Sequence, residues 1–577
     1  MKKIKYIAIL FLIVSAAKIS VQLSTHSLIS LDSWTIYHIL SSVISGHEVL
    51  PRAVLYYHYP LSYIFLLPFA KLFGIMFTLK FIYPLITSLI VVPVYYLMSI
   101  YVDDYRSFIG ALTIAFIDDF ILRATAATPQ GIALIFFFSA ILFLLKGENR
   151  MFLFFGILSI FTHHLTSLIL LVFAISSIYS RFIQYKETNI SASLYSDIRA
   201  LSETAIKEKI LLLYIALFFF SWIVISSTAD KNIVSLYLAI KAAPAILLLI
   251  LALFFTLKHQ ALFLRAMREI RQKNIFIASL TIFFALLFFV LNYSTHSFLS
   301  SYSYSILFLI PAYIMAPVTG SAYLLSDKDR TWVIFFTALM IGFILIILLR
   351  LNCIFDVYRF VPFTLAALVI VVVKNSRRLA HLLLAMVLTT FISHLLVSYG
   401  TLTYNDKQME AAEWARKNLE QATVATDTKM SALFMGISNK STTFEGTYWL
   451  FSQDNLLPWI NAFNKQRFIR QPIRYIATSS YMFDDGASIS WSAKRYILTD
   501  RNIENFNKAG TIIFRNSDVV IWEVDESRLK EAGGLNTAHK QRSVISELIS
   551  RIFSIGGNIK KAELSLDPRI AYGSTCE

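Results

Sequence analysis

Cysteine and charge are both scarce in this 577-residue sequence. Its two cysteines, Cys353 and Cys576, exclude a disulfide framework, a cysteine-ligated zinc site and an iron–sulfur cluster. Charged residues make up 15%, against ~25% in soluble domains, which excludes a single soluble enzyme. No glycine-rich phosphate loop occurs, which argues against direct use of a nucleotide. No internal repeat is evident, which counts against a repeat-built transporter.

What is abundant is apolar surface. Hydrophobic residues reach 57%, with 48 Phe, so the chain is not disordered. The net charge of +16 is unevenly spread. Residues 1–400 hold 30 basic and 16 acidic side chains, whereas residues 401–577 hold 22 and 20, a density ordinary for a soluble domain. This divides the chain into a membrane domain (1–400), a globular domain (401–525) and a polar tail (526–577). The positive charge then reads as cytoplasmic loops rather than nucleic-acid binding.

A spanning helix needs ~20 mainly apolar residues. The first run, Ile4 to Val21, follows Lys2, Lys3 and Lys5, which puts the N-terminus inside. Further runs lie near 79–100, 107–122, 130–146, 151–180, 209–228, 233–257, 275–292, 303–325, 331–350, 356–374 and 379–398. Basic connections at Lys258–Lys273, Asp327–Arg330 and Lys374–Arg378 fall inside, so the chain beyond 400 falls outside. The stretch 62–78, broken by Pro68, Lys71 and Gly74, is assigned to the interface. The run 151–180 is assigned to two short helices broken at Thr162, His163, His164 and Thr166. Broken helices are tolerated in a membrane only where they line a cavity. The fold class expected is an α-helical polytopic membrane protein of about 13 spans with a C-terminal extracytoplasmic α/β domain.

Polar residues gather at the outer end of these spans. Asp32 is placed to act as a general base, or to cap a helix. Asp118 and Asp119 would bind a divalent metal or position an acceptor, or else form an interfacial ion pair with Arg123. His163 and His164 would neutralise a phosphate, or hydrogen-bond to Thr162 or Thr166. Arg359 offers a fork of donors suited to phosphate, or pairs with Asp356. Lys241 is a weaker candidate for the same anion. His58 would shape the acceptor side, or pack in an aromatic belt.

LDSW (31–34), followed by YYHYPLSYIFLLPFAKLFG (56–74), resembles the opening of the GT-C membrane glycosyltransferases. Residues 87–134 resemble the second to fourth spans of the oligosaccharyltransferase catalytic subunit, and residues 411–451 look like the start of its outer domain. The resemblance implies an inverting transfer from a polyprenyl- or dolichyl-phosphate sugar to an extracytoplasmic protein, lipid or glycan. It implies that Asp32 is the catalytic Asp of the first outer loop, acting as the base, and that Arg123 binds substrate beside it. By the same resemblance Arg359 contacts the donor phosphate; from their own positions His163, His164 and Lys241 are assigned to that phosphate, and Asp118, Asp119 and His58 to the acceptor or metal side. Departures from that family are specific. The acidic metal-binding pair expected after the outer Arg is replaced by TPQG (128–131), and the sequon-reading WWDYG by ATDTKM (425–430). These place the chain outside the oligosaccharyltransferase family proper, metal-independent like the protein O-mannosyltransferases, or with Asp32, Asp118 and Asp119 holding Mg or Mn. An oligosaccharyltransferase that reads acceptors without WWDYG, a flippase for lipid-linked sugars and a binding-only scaffold remain as alternatives. The composition is compatible with a prokaryotic, archaeal plasma membrane.

In the C-terminal region a helix is expected over 406–418, with Met409, Ala412 and Trp414 partly buried. Strands are expected at 423–427, 474–480, 511–516 and 519–524, the last two as a hairpin through Asn516-Ser517-Asp518. An amphipathic helix is expected over 543–553.

Overall fold

The computed structural model describes residues 2–47, 49, 59–188, 213–221, 331–332, 334–336, 338–339, 361–443, 450–451, 455–464, 471–488 and 495–531. His58, Lys241, Arg359, the runs at 233–257, 275–292 and 303–325, and the 543–553 segment lie outside the described residues. The chain divides into two compact units, Met1–Tyr404 and Asn405–Glu577.

The described part of the first unit is helical. It comprises α1 (Lys2–Leu23), α2 (Leu31–Ser45), α3 (Leu61–Phe73), α4 (Ile75–Met98), α5 (Asp104–Ala115), α6 (Asp118–Thr125), α7 (Pro129–Leu145), α8 (Asn149–Ile160), α9 (His164–Thr188), α10 (Val361–Asn375) and α11 (Arg377–Leu402). Among the described residues, α1 and α4 are long and apolar enough to cross a membrane. Shorter apolar helices include Pro129–Leu145, His164–Ile178 and Pro362–Asn375. Phe120, Phe137, Phe138 and Phe363 interlock edge to face at 5.1–6.0 Å, which ties α6 and α7 to the start of α10.

Local breaks follow local chemistry. Between α3 and α4 the chain turns at Gly74 (φ 83), a conformation glycine adopts without steric cost. Pro68 sits in the first turn of its helical segment, where its missing N–H is harmless. The apolar stretch 151–180 is divided at Phe161–His163, as expected. The run at 107–122 is also two helices, which was not expected. The break at Ile117 (φ −52, ψ 122) precedes Asp118-Asp119, and acidic side chains favour a helix N-terminus.

One end of this unit is basic and aromatic. Lys3 approaches Asp104 at 4.0 Å, and Arg106 Nη1 donates to the Lys374 carbonyl. Lys374 and Arg377 lie over the rings of Tyr101 and Tyr105. At the far end of α1, Lys18 and Gln22 meet α4 and α6.

The second unit is a small α/β fold. Its elements are α12 (Asp406–Asn418), β1 (Thr423–Ala425), α13 (Thr428–Leu433), β2 (Ser441–Thr442), α14 (Leu457–Asn464), β3 (Ile473–Ser479), β4 (Ala487–Ser488), β5 (Arg495–Tyr496), α15 (Asp500–Ala509), β6 (Gly510–Arg515), β7 (Val519–Val524) and α16 (Glu526–Glu531). The main sheet runs β2-β1-β3-β7-β6. β1 pairs parallel with β2 and β3, and β7 pairs antiparallel with β3 and β6. Asn405 and Gln408 form a reciprocal cap that starts α12, in which Ala412 is buried and Met409 and Trp414 half-buried. Phe451, Phe506 and Trp522 pack together at 5.2–5.3 Å.

Candidate functional site

Asp32 lies in the first turn of α2 and is 5% exposed. It is not the cap that its sequence context suggests. Ser30 takes that role and accepts from the Asp32 backbone N–H at 3.3 Å, because its own backbone (φ 75, ψ 148) leaves the helix there. Positive φ is unfavourable for a residue with a Cβ, and such strain tends to sit beside functional groups. The Asp32 carboxylate faces Arg123, with Nη1 to Oδ2 at 3.4 Å. Taking two charges out of water is costly, so a pair held this deep needs a reason other than stability.

The frame around that pair is built from side chains that close the end of α6. The last four carbonyls of a helix have no partner within it. Here each is met. The Leu122 carbonyl accepts from the Ala126 N–H, and the Arg123 carbonyl from Tyr83 Oη (3.2 Å) and Thr128 Oγ1 (2.9 Å). The Ala124 carbonyl accepts from Thr87 Oγ1 (2.6 Å), and the Thr125 carbonyl from Gln22 Nε2 (2.7 Å). Lys18, fully buried, donates to Thr87 Oγ1 at 3.2 Å, and a cation suits a helix C-terminus. The one Tyr83 hydroxyl proton is shared between the Arg123 carbonyl and the nearer Thr128 carbonyl, 2.6 Å away, while Tyr83 Oη accepts from the Thr128 N–H at 3.1 Å.

The start of α2 is fastened to the same segment. Ser33 Oγ accepts from the Ala127 N–H at 2.8 Å and donates to the Ile29 carbonyl at 2.6 Å. Lys80 Nζ donates to the Thr25 and His26 carbonyls, which fixes the chain entering α2. Gly131 lets α7 approach closely: a Cβ there would stand 2.1 Å from Tyr83 Oη and 2.8 Å from the Arg123 carbonyl oxygen. Asp32 and Arg123 therefore sit on two helix ends locked together by buried hydrogen bonds.

His163 is at the α8–α9 break and 5% exposed. Its Nδ1 accepts from the Thr166 N–H (3.3 Å) and pairs with Thr166 Oγ1 (2.9 Å), the bland reading of this residue. That assignment leaves Nε2 as the ring N–H. The His164 ring lies beside those of His163 (4.8 Å) and Tyr59 (5.4 Å), tilted to each. Asp118 and Asp119 open α6, but their side chains lie outside the description. Among the described residues no group of three or more His, Cys, Asp or Glu could hold a metal ion.

A second polar cluster lies in the other unit, at the carboxyl ends of the parallel strands, where α/β folds commonly bind ligands. Asp427, fully buried, caps α13 and accepts from Tyr481 Oη at 2.6 Å. Lys429 lies over the Tyr481 ring, and the Thr426 N–H donates to Thr443 Oγ1. These residues include the ATDTKM segment.

No protein-family model matches this chain, and no curated protein does. Among solved structures it is similar to the Archaeoglobus fulgidus oligosaccharyltransferase in complex with Zn and sulfate, with TM-score 0.47 and 16% identity, over 82% of this chain and 68% of that one. The archaeal oligosaccharyltransferase AglB of Archaeoglobus fulgidus, in complex with an inhibitory peptide and a dolichol-phosphate, gives TM-score 0.44 and 13% identity, over 82% and 69%. ArnT from Cupriavidus metallidurans bound to undecaprenyl phosphate gives TM-score 0.40 and 12% identity, over 89% and 97%. Likeness at this level shows neither family nor activity for this chain.

Proposed function

We propose that this protein is an integral membrane glycosyltransferase of the GT-C class, transferring a sugar from a polyprenyl-phosphate donor to an acceptor outside the cytoplasm. The observation that carries the reading is the buried Asp32–Arg123 pair, 3.4 Å apart, on a hydrogen-bonded frame at the end of an apolar helix. The segregation of Lys3, Arg106, Lys374 and Arg377 at the opposite end supports a cytoplasmic face there.

In this reading the Asp32 carboxylate takes the proton from an acceptor hydroxyl or amide. The acceptor atom attacks the anomeric carbon from the face opposite the phosphate. The carbon–oxygen bond to phosphate breaks, its electron pair leaves with the lipid phosphate, and the anomeric configuration inverts. Arg123 orients the base. The Nε2 N–H of His163, with Arg359 and Lys241, supplies donors to the leaving phosphate as its charge develops.

The test is release of lipid phosphate from radiolabelled polyprenyl-phosphate sugars by the purified protein, wild type beside Asp32→Asn. Release by the wild type that falls by about 100- to 10,000-fold in the variant is expected. Equal release by both would sink the assignment of Asp32. No release from any sugar would sink the enzyme.

A further inference from the structure

The segment that holds Arg123 also carries a side chain with nothing to bond. Gln130, the second residue of α7, is 1% exposed, and both of its amide atoms are buried without a hydrogen-bond partner. Leaving a buried polar group unpaired is costly, and each case in a native structure calls for an explanation. Side chains lean toward the N-terminal end of their helix, so Gln130 is directed to the end of α7 that abuts Arg123.

One neighbour in bonding shares the trait. Gln22, whose Nε2 closes the end of α6, has a buried and unpaired Oε1. The two side chains offer N–H donors and carbonyl acceptors but no charge. A phosphate would leave the two amide oxygens unmatched, and a cation would leave the Gln130 N–H groups unmatched. Hydroxyl groups, which both donate and accept, match both side chains.

We propose that Gln130 binds a hydroxyl of the sugar carried by the donor, with Gln22 contributing to the same subsite. The inference rests on the glycosyltransferase reading and names the part of the donor that this frame recognises. The carboxamide donates through Nε2 and accepts through Oε1, so a correctly placed hydroxyl satisfies groups that the folded chain leaves open. A sugar lacking that hydroxyl, or a lipid phosphate without a sugar, does not.

The experiment uses the full-length protein in detergent. Its probes are undecaprenyl phosphate alone and undecaprenyl phosphate carrying glucose, mannose or N-acetylglucosamine. The wild type is expected to bind at least one sugar-bearing probe about tenfold more tightly than the bare lipid, as one or two hydrogen bonds in a dry site allow. Gln130→Leu, and independently Gln130→Met, should lose that preference and bind the bare lipid within about twofold of the wild type. Their melting temperatures should be unchanged or raised, because an unpaired amide gives way to an apolar group of similar size. Retained sugar preference in both variants overturns the proposal. So does a fall in melting temperature together with bare-lipid binding, which marks Gln130 as structural. A wild type that turns over a sugar probe while the variants keep its preference removes this proposal alone. A wild type that neither turns over nor prefers any sugar probe removes the glycosyltransferase reading and this proposal with it.

Discussion

At the residue scale, the proposed chemistry would turn on how tightly Asp32 is aimed. Its helix begins at Ser30, whose backbone sits where only glycine is comfortable. Ser30→Gly removes that strain and one cap, effects of about 1 kcal/mol and opposite sign, so stability should barely move. Aim should suffer instead. Turnover is expected to fall about tenfold with little change in lipid binding, since small misplacements of a reacting group cost rate steeply. Equal turnover in wild type and Ser30→Gly would show that the cap does not position the base. The sequence shows Asp32 and Arg123 as an acidic and a cationic side chain beside apolar runs, and the fold brings them within 3.4 Å of each other. The role of Ser30 is not legible in the sequence, because a backbone angle leaves no mark on composition. Lys18 does leave one, being a cation inside the apolar run Ile4 to Val21, and Gln130 stands in the TPQG segment that departs from the family pattern.

At the scale of elements, the end of α6 is the joint on which the site depends. Tyr83 holds it by bonds to Arg123 and Thr128. Tyr83→Phe leaves the buried Thr128 carbonyl short of a donor and should cost about 1–3 kcal/mol, read as a lower melting temperature. Gly131→Ala drives a methyl into both Tyr83 Oη and the Arg123 carbonyl, which should cost about 1–3 kcal/mol and move Arg123. Adding Tyr83→Phe to Gly131→Ala relieves the first clash, so the double variant should lose less than the two single losses added. Strict additivity would mean the two residues do not share this joint. None of this was readable from hydrophobic period alone. The period marked 107–122 as one helix, whereas Asp118-Asp119 restarts the chain as α6. In the C-terminal unit the pattern served better. Alternating apolar residues and the Asn516–Asp518 turn marked β6 and β7, which pair as a hairpin. Tyr481, the partner of Asp427, lies 54 residues downstream, and Thr443, which accepts from the Thr426 N–H, lies 17 residues beyond Thr426, too far for any local pattern.

At the scale of the whole molecule, two measurements separate the units. About 13 crossings, an odd number, would put residues 1 and 400 on opposite sides of a membrane. In a chain whose Cys353 and Cys576 are replaced by serine, a cysteine at Lys3 and one at Asp406 should label from opposite faces of sealed vesicles. Labelling from one face would overturn the count of about 13 spans. The second measurement is acid stability. Burial alone would raise the Asp518 carboxyl, but hydrogen bonds from Ser480, Asn405 and Ser479 outweigh it and hold the group below the usual carboxylate range. A lowered folded value stabilises above the unfolded one, near ~3.9, and that contribution fades as pH falls through the folded value. Asp518→Asn should therefore lower the melting temperature of the full chain at pH 7 and have less effect near pH 3. An equal effect at both values would show that the carboxylate's charge is not what matters.

The bonds that build the Asp32–Arg123 frame share a simple property. Lys18 to Thr87, Gln22 to Thr125, Ser33 to Ala127, Tyr83 to Thr128 and Asp32 to Arg123 all join residues within the first 128 of the chain. Synthesis runs from the N-terminus, and early segments fold while later ones are still being made. The frame can thus close before the ribosome has reached the second half of the chain. Later helices then arrive against a finished template, and a chain severed beyond Thr188 but co-expressed as two pieces would still have its base and its arginine in place.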